Sequence, residues 1–175
     1  MINLMPENDY ILLTPGPLST SKRVRAALLK DWCTWDNEYN NMVCDVRKRL
    51  VKLANCNEEK YTSVLMQGSG SFSVESVIGS TIGDNDKLLI LVNGEYGKRI
   101  ATMATTLKVK NVVFTYNEKE TIKPHDLENM LKENDDITHV AFVHCETTTG
   151  ILNPIQELCE ITKKYSKILI VDAMS

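Results

Sequence analysis

A chain of 175 residues can bury one sizeable core, and its 43% hydrophobic and 25% charged residues are an ordinary globular balance. The formal net charge of −3 gives no electrostatic reason to expect nucleic acid or an anionic membrane as partner. The five cysteines, Cys33, Cys44, Cys56, Cys145 and Cys159, are odd in number and contain no C-x-x-C pair, which argues against a disulfide framework. With no basic start leading into an apolar run, and no apolar stretch of membrane-spanning length, a cytoplasmic protein is expected.

Pro6, Pro15, Gly16 and Pro17 crowd the first twenty residues, and the T-P-G-P run at 14–17 predicts a rigid turn. Val24, Ala27, Leu28 and Asp31 follow at helical spacing. A stronger helix is predicted from about residue 38 to 54, where Tyr39, Met42, Val43, Val46, Leu50 and Leu53 form one apolar stripe. Beyond it short apolar runs alternate with helical stretches. Strands are predicted at 63–67, 87–92, 111–116, 139–144 and 167–172, with helices at 71–82, 97–107, 124–132 and 154–165 between them. Pro124 and Pro154 suit a first helical turn, and Asn153 suits the cap of the second of these helices.

The strands are apolar almost throughout, as in Leu88, Leu89, Ile90, Leu91 and Val92, which predicts a sheet covered by helices on both faces. Alternation of strand and helix then implies a three-layer α/β/α architecture with a mostly parallel sheet, and ligands bind beyond the carboxyl ends of such strands.

Polar residues do cluster after the predicted strands. Gly68-Ser69-Gly70-Ser71 opens a helix, where glycines permit close approach and unpaired N–H groups attract a phosphate; a ligand-free strand–helix turn is the alternative. The segment lacks the third glycine of a dinucleotide fingerprint and the lysine of a P-loop. Gly94 and Gly97 bracket Tyr96 so that its ring can face a planar ligand, although an Asn-Gly turn beside an aromatic is common. Thr147, Thr148 and Thr149 precede Gly150 and serve either as donors at a cleft or as a turn. Asp172 ends the last strand, where a carboxylate is costly to bury without a positive partner; a helix cap or a hydrogen-bond acceptor is the plainer role. His144 and Cys145 point to opposite faces of a strand and cannot readily share a proton, and His125, His139 and His144 lack metal-ligand spacing, so no metal site is expected. The four strand-end features together call for a phosphate, a ring, a polar ring substituent and a basic ring nitrogen, which pyridoxal phosphate (PLP) combines.

Several motifs carry a resemblance to a known family: L-L-T-P-G-P-L at 12–18, W-C-T-W-D at 32–36, Q-G-S-G-S-F at 67–72, N-G-E-Y-G-K-R at 93–99, H-C-E-T-T-T-G-I-L-N-P at 144–154 and V-D-A-M-S at 171–175. In order and spacing they resemble the class V branch of fold type I PLP-dependent aminotransferases. The resemblance implies PLP as cofactor and transfer of the amino group of 2-aminoethylphosphonate to pyruvate, giving phosphonoacetaldehyde and L-alanine. The alternatives are an alanine–glyoxylate or serine–pyruvate type of aminotransferase, or a non-catalytic phosphate- or nucleotide-binding α/β module.

Carried over by position, the resemblance makes Ser69, Gly70 and Ser71 the phosphate cradle, with Ser71 standing where relatives often have threonine or histidine. It makes Tyr96 the ring that stacks on the cofactor, Thr148 the hydroxyl near its phenolic oxygen, and Asp172 the catalytic carboxylate paired with its ring nitrogen. The Gly16 region becomes a loop on the substrate side. By the same resemblance residues 1–20 are an arm with that loop, and residues 21–175 are part of a PLP-binding large domain. The family's cofactor-bearing lysine is expected beyond Ser175, Lys98 and Lys167 do not fit its motif, and the 175 residues by themselves are expected to lack activity. The resemblance also implies a homodimer with sites at its interface. It leaves the predicted strand at 63–67 without its neighbours, and so an exposed edge prone to pairing with another chain.

Overall fold

The computed structural model describes residues 5–14 and 16–175; Pro15 of the expected turn and residues 1–4 of the expected arm lie outside the described residues. By contacts the chain divides into two units, Met1–Gln67 and Gly68–Ser175.

The first unit contains helices α1 (Lys22–Ala27) and α2 (Asn37–Leu53). Ser21 starts α1 by accepting a hydrogen bond from the Val24 N–H at 3.3 Å, which satisfies one amide that a helix start leaves unpaired. Helix α2 forms where its apolar period predicts. Its Met42, Val46, Leu50 and Leu53 are exposed, and Val51 is the only buried hydrophobic residue among the described residues of this unit.

The strand predicted at 63–67 is a correction: these residues enter neither sheet and carry no strand assignment. The reason lies in what the local backbone bonds to. Arg47 Nε donates to the Ser63 carbonyl at 2.7 Å, its Nη2 to Thr62 Oγ1 at 2.7 Å, and Ser63 Oγ returns a bond to the Arg47 carbonyl at 3.0 Å. The start of the segment is thus held along α2 by side-chain bonds instead of by a ladder, and a strand exists only with a ladder partner.

In the second unit, the elements alternate as α3 (Gly70–Thr81), β1 (Leu88–Val92), α4 (Glu95–Thr106), β2 (Asn111–Thr115), α5 (Pro124–Glu133), β3 (His139–Val143), the short strands β4 (Cys145–Glu146) and β5 (Ile151–Leu152), α6 (Ile155–Lys164) and β6 (Ile168–Asp172). Four strands form one parallel sheet in the order β2-β1-β3-β6, and β4 pairs with β5 as a separate antiparallel hairpin.

Alternation along the strands divides the core between the two faces of the sheet. Leu88, Ile90 and Val92 join Ala141 and Val143 against Ile78 of α3 and Ile100 and Ala104 of α4. Leu89 and Leu91 join Val140 and Phe142 against Leu127 and Leu131 of α5 and Leu158 of α6. At the central strands β1 and β3 both faces are therefore apolar and covered, which is why their sequences show no polar alternation. This is the three-layer α/β/α arrangement that the sequence predicts.

Two helix starts differ from expectation. Helix α4 begins at Glu95 and so includes Tyr96 in its first turn, instead of beginning at 97. In α6, Pro154 takes the cap position and Asn153 stands outside the helix. Asn153 cannot cap because its side chain is engaged elsewhere. Its Oδ1 accepts from the Ile122 N–H at 3.0 Å and from Asn93 Nδ2 at 2.9 Å, and its Nδ2 donates to the Val143 carbonyl at 2.7 Å and to Asn93 Oδ1 at 3.2 Å.

Helices α5 and α6 are also tied, from the middle of α5 to the last turn of α6. Glu128 accepts from Lys164 Nζ at 2.7 Å and from the Tyr165 hydroxyl at 3.2 Å. The Lys164 ammonium, seconded by Tyr165, lowers the Glu128 carboxyl to about 2. Because the folded state depresses this pKa, the stabilisation is full above the ordinary glutamate range and is lost as pH falls toward about 2. Thermal melts between pH 6 and 2 are expected to fall more steeply for the unaltered chain than for Glu128→Gln; parallel curves would count against the tie. All five cysteines are unpaired thiols.

Candidate active site

The carboxyl ends of β1, β3 and β6 and the start of α3 carry the polar residues singled out by sequence. Ser69 is the N-cap of α3, its Oγ accepting from the Phe72 N–H at 3.4 Å. Gly70 opens the helix, and a Cβ there would lie 2.5 Å from Met174 Cε, so the Met174 side chain packs into the space that glycine leaves. Ser71 Oγ accepts from Arg99 Nη1 at 3.0 Å. The helix start thus offers first-turn N–H groups, two hydroxyls and a nearby guanidinium, the donor set that suits a phosphate.

Tyr96 is half-buried in the first turn of α4, and the Arg99 guanidinium lies 4.8 Å from its ring centroid. A spacing of three residues brings the two side chains together on one helix face. Arg99 therefore touches both the predicted cradle and the predicted stacking ring. Sequence reasoning assigned it no role; its place three residues after Tyr96 is the signal that was available.

Asp172 ends β6, paired in register with Val143, and its carbonyl accepts from the His144 N–H at 2.8 Å. Its carboxylate is half-buried and accepts from the Met174 N–H at 3.1 Å. No lysine or arginine among the described residues forms an ion pair with it. Beside it is a cavity of about 210 Å³ lined by Gly70, Ser73, Val74, Asp172, Ala173 and Met174. A half-buried carboxylate facing a helix start, with one backbone donor and no cation, fits a ligand that brings its own positive charge.

Thr148 lies in the turn between β4 and β5, where its Oγ1 donates to Glu146 Oε1 at 3.0 Å. Glu146 is fully buried, and sequence reasoning missed it. Its Oε1 also accepts from the Tyr96 N–H at 3.2 Å, and its Oε2 accepts from the Gly97 N–H at 3.3 Å. The carboxylate thus sits on the positive end of α4, where helix N–H groups compensate its charge. Gly94 makes room for it, since a Cβ at that position would lie 2.2 Å from Glu146 Cγ. No local motif reveals this cap because donor and acceptor are 50 residues apart.

The structure therefore brings Ser71, Arg99 and Tyr96 into one linked set, joins Tyr96 through Glu146 to Thr148, and brings Gly70 beside Met174 and Asp172. Gly16 belongs to the other unit and is exposed. Two lysines set aside by sequence are engaged elsewhere. Lys98 is paired with Glu95 at 2.5 Å and Glu118 at 2.9 Å, and those carboxylates raise its pKa further. Lys167 donates to the Asp135 carbonyl at 2.9 Å, ahead of β6 at the other end of the sheet. Among the described residues no cluster of three metal-ligating side chains occurs, and no helix is long and apolar enough to cross a membrane.

Residues 21–175 match the family model described as aminotransferase class-V. The chain is 62% identical over 173 residues to a bifunctional phosphonoacetaldehyde hydrolase/aminoethylphosphonate transaminase of Clostridioides difficile (strain 630), covering 99% of this chain and 27% of that protein. It is 57% identical over 171 residues to a 2-aminoethylphosphonate–pyruvate transaminase of Bacillus cereus, covering 98% of this chain and 50% of that one. The chain thus spans half the length or less of these curated relatives. Among solved structures it is similar to pyridoxamine-pyruvate aminotransferase of Mesorhizobium loti, with a TM-score of 0.82 at 24% identity over 93% of this chain and 41% of that chain. It is also similar to alanine–glyoxylate aminotransferase of Nostoc sp., with a TM-score of 0.83 at 21% identity over 96% of this chain and 44% of that one. At these identities the solved structures speak for the fold alone.

Proposed function

The chain belongs to the class-V aminotransferase family, and on that premise we propose that it forms the cofactor-holding part of a PLP-dependent transaminase acting on 2-aminoethylphosphonate and pyruvate. The observation that carries this reading is the half-buried, cation-free Asp172 carboxylate beside the glycine-opened start of α3. The phosphonate donor is supported by the 57–62% identity to relatives named for that substrate. Bound PLP supplies an electron-withdrawing ring for charge released at the substrate carbon.

In this reading Ser69, Gly70 and Ser71 hold the phosphate, with Arg99 directing its guanidinium at Ser71. Tyr96 sets the tilt of the ring, and Thr148 meets the ring's phenolic oxygen. Asp172 favours the protonated ring nitrogen by opposite charge. Fixing phosphate, ring plane and ring nitrogen together lowers the cost of orienting the reacting bond. Gly16 is assigned to the substrate side, residues 1–20 to an arm and residues 21–175 to the cofactor domain. A homodimer in the cytoplasm completes the reading. The Clostridioides relative couples the transaminase to a phosphonoacetaldehyde hydrolase in one name, consistent with phosphonoacetaldehyde as the product here.

The test is alanine formation from 2-aminoethylphosphonate and pyruvate by a PLP-loaded polypeptide carrying this chain. Alanine and phosphonoacetaldehyde in equal amounts are expected. Turnover of alanine with glyoxylate but not of the phosphonate would overturn the substrate assignment. The 175 residues alone are expected to bind PLP without sustained turnover, since Lys98 is held as an ammonium between two carboxylates and Lys167 lies at the other end of the sheet.

A further inference from the structure

We propose that Glu146 is a positioning residue of the cofactor site, which turns the Thr148 hydroxyl into a hydrogen-bond acceptor toward the ligand. The inference rests on the PLP reading above but assigns a role to a residue outside it. Glu146 is fully buried, and three donors converge on its two carboxylate oxygens: the Tyr96 and Gly97 amides and the Thr148 hydroxyl. A carboxylate has no proton to give in such a set, so the Thr148 proton is directed at Glu146 Oε1. A hydroxyl has one proton, and what Thr148 presents to a ligand is its lone pairs.

The same carboxylate holds the amide of Tyr96. One buried group therefore fixes both the turn that carries the hydroxyl and the helix start that carries the ring. The surroundings are built for this group, because Gly94 leaves space that any side chain would fill. The hairpin turn reinforces the arrangement, with the Glu146 carbonyl accepting from the Gly150 N–H at 2.7 Å. The chemical consequence concerns the ligand. A ring substituent meeting an acceptor-only hydroxyl is stabilised when it carries a proton, so the site favours a neutral phenol over a phenolate at this position.

The test uses the full chain saturated with PLP at one fixed pH, reading the absorbance bands of the neutral and ionised phenol. Thr148→Val removes the acceptor, and the ratio of neutral to ionised phenol is expected to fall by roughly twofold or more. A rise would show that Thr148 donates to a phenolate, and would overturn the proposal. Glu146→Asp keeps the charge but withdraws it by one methylene, which frees the hydroxyl to donate; the ratio is expected to fall here too. In a Thr148→Val background Glu146→Asp is expected to leave the ratio unchanged. A purely structural Glu146 would alter thermal stability without moving the ratio in either background. If Glu146→Asp does not fold, the sign of the Thr148→Val change decides alone. Failure of the unaltered chain to bind PLP would overturn the cofactor reading and this inference with it. Binding by the unaltered chain with no spectral change in either variant would overturn this inference alone.

Discussion

Replacing Asn153 by alanine is expected to lower the unfolding free energy by about 3–5 kcal/mol. The side chain is buried and makes four hydrogen bonds, to the Ile122 amide, the Val143 carbonyl and both polar atoms of Asn93. Alanine removes all of them and adds no partner. The Val143 carbonyl and the Ile122 amide then stand in a water-poor interior, each at a desolvation cost of about 1–3 kcal/mol. Asn93 keeps one further bond, from its Nδ2 to the Glu120 carbonyl at 3.0 Å, so its loss is partial.

A domain of this size has only about 5–15 kcal/mol of stability in total, so the variant would sit near the edge of folding. Urea denaturation followed by circular dichroism measures the change. A loss below about 1 kcal/mol would mean that water replaces the asparagine, contrary to a closed network. The network also bears on function, because Asn93 follows β1 and the Val143 carbonyl ends β3. It ties together the carboxyl ends of the two central strands, from which the candidate site is built.

The second large effect is expected at Asp172. Asparagine keeps the shape, and its oxygen still accepts from the Met174 N–H, so the fold should survive. What disappears is the negative charge. With no lysine or arginine paired to Asp172 among the described residues, that charge has no structural counterpart to release. In the proposed reading it is the partner of a protonated ring nitrogen, and its loss removes the group that keeps the proton there.

The dissociation constant for PLP in Asp172→Asn is therefore expected to rise about tenfold, equivalent to about 1.4 kcal/mol. In a polypeptide with transaminase activity the turnover number is expected to fall on the order of 10²-fold, as when other preorganised electrostatic groups are removed. Fluorescence titration with PLP measures the first and alanine production the second. Equal PLP affinity in the two chains would remove Asp172 from the site. Unchanged stability alongside weakened binding would separate its role from that of Asn153.

The elements that local pattern governs were legible in the sequence. Leu88 to Val92 are apolar without alternation because both faces of the strand are covered, and that alone predicts the three-layer arrangement. Ser69, Gly70 and Ser71 stood out as a glycine-rich helix start, and Asp172 because it breaks an apolar pattern at the end of a strand, where open α/β sheets bind ligands. The family resemblance rested on the same segments, and the match over residues 21–175 agrees with it.

Other features depended on partners far away in sequence. Glu146 is an unremarked acid before three threonines until the fold brings the α4 amides to it from 50 residues away. Asn153 looks like a helix cap because asparagine often is one, but four buried partners outweigh one exposed amide. The strand predicted at 63–67 is absent for a different reason: its composition suits a strand, but a strand also needs a ladder partner, and these residues have none in either sheet. By itself the sequence determined where apolar runs, helix periods and strand-end polar residues lie, since those follow from each segment's own side chains. Only the tertiary structure decided which buried polar group serves which, because a hydrogen bond in the interior is chosen by the distant atoms left without water.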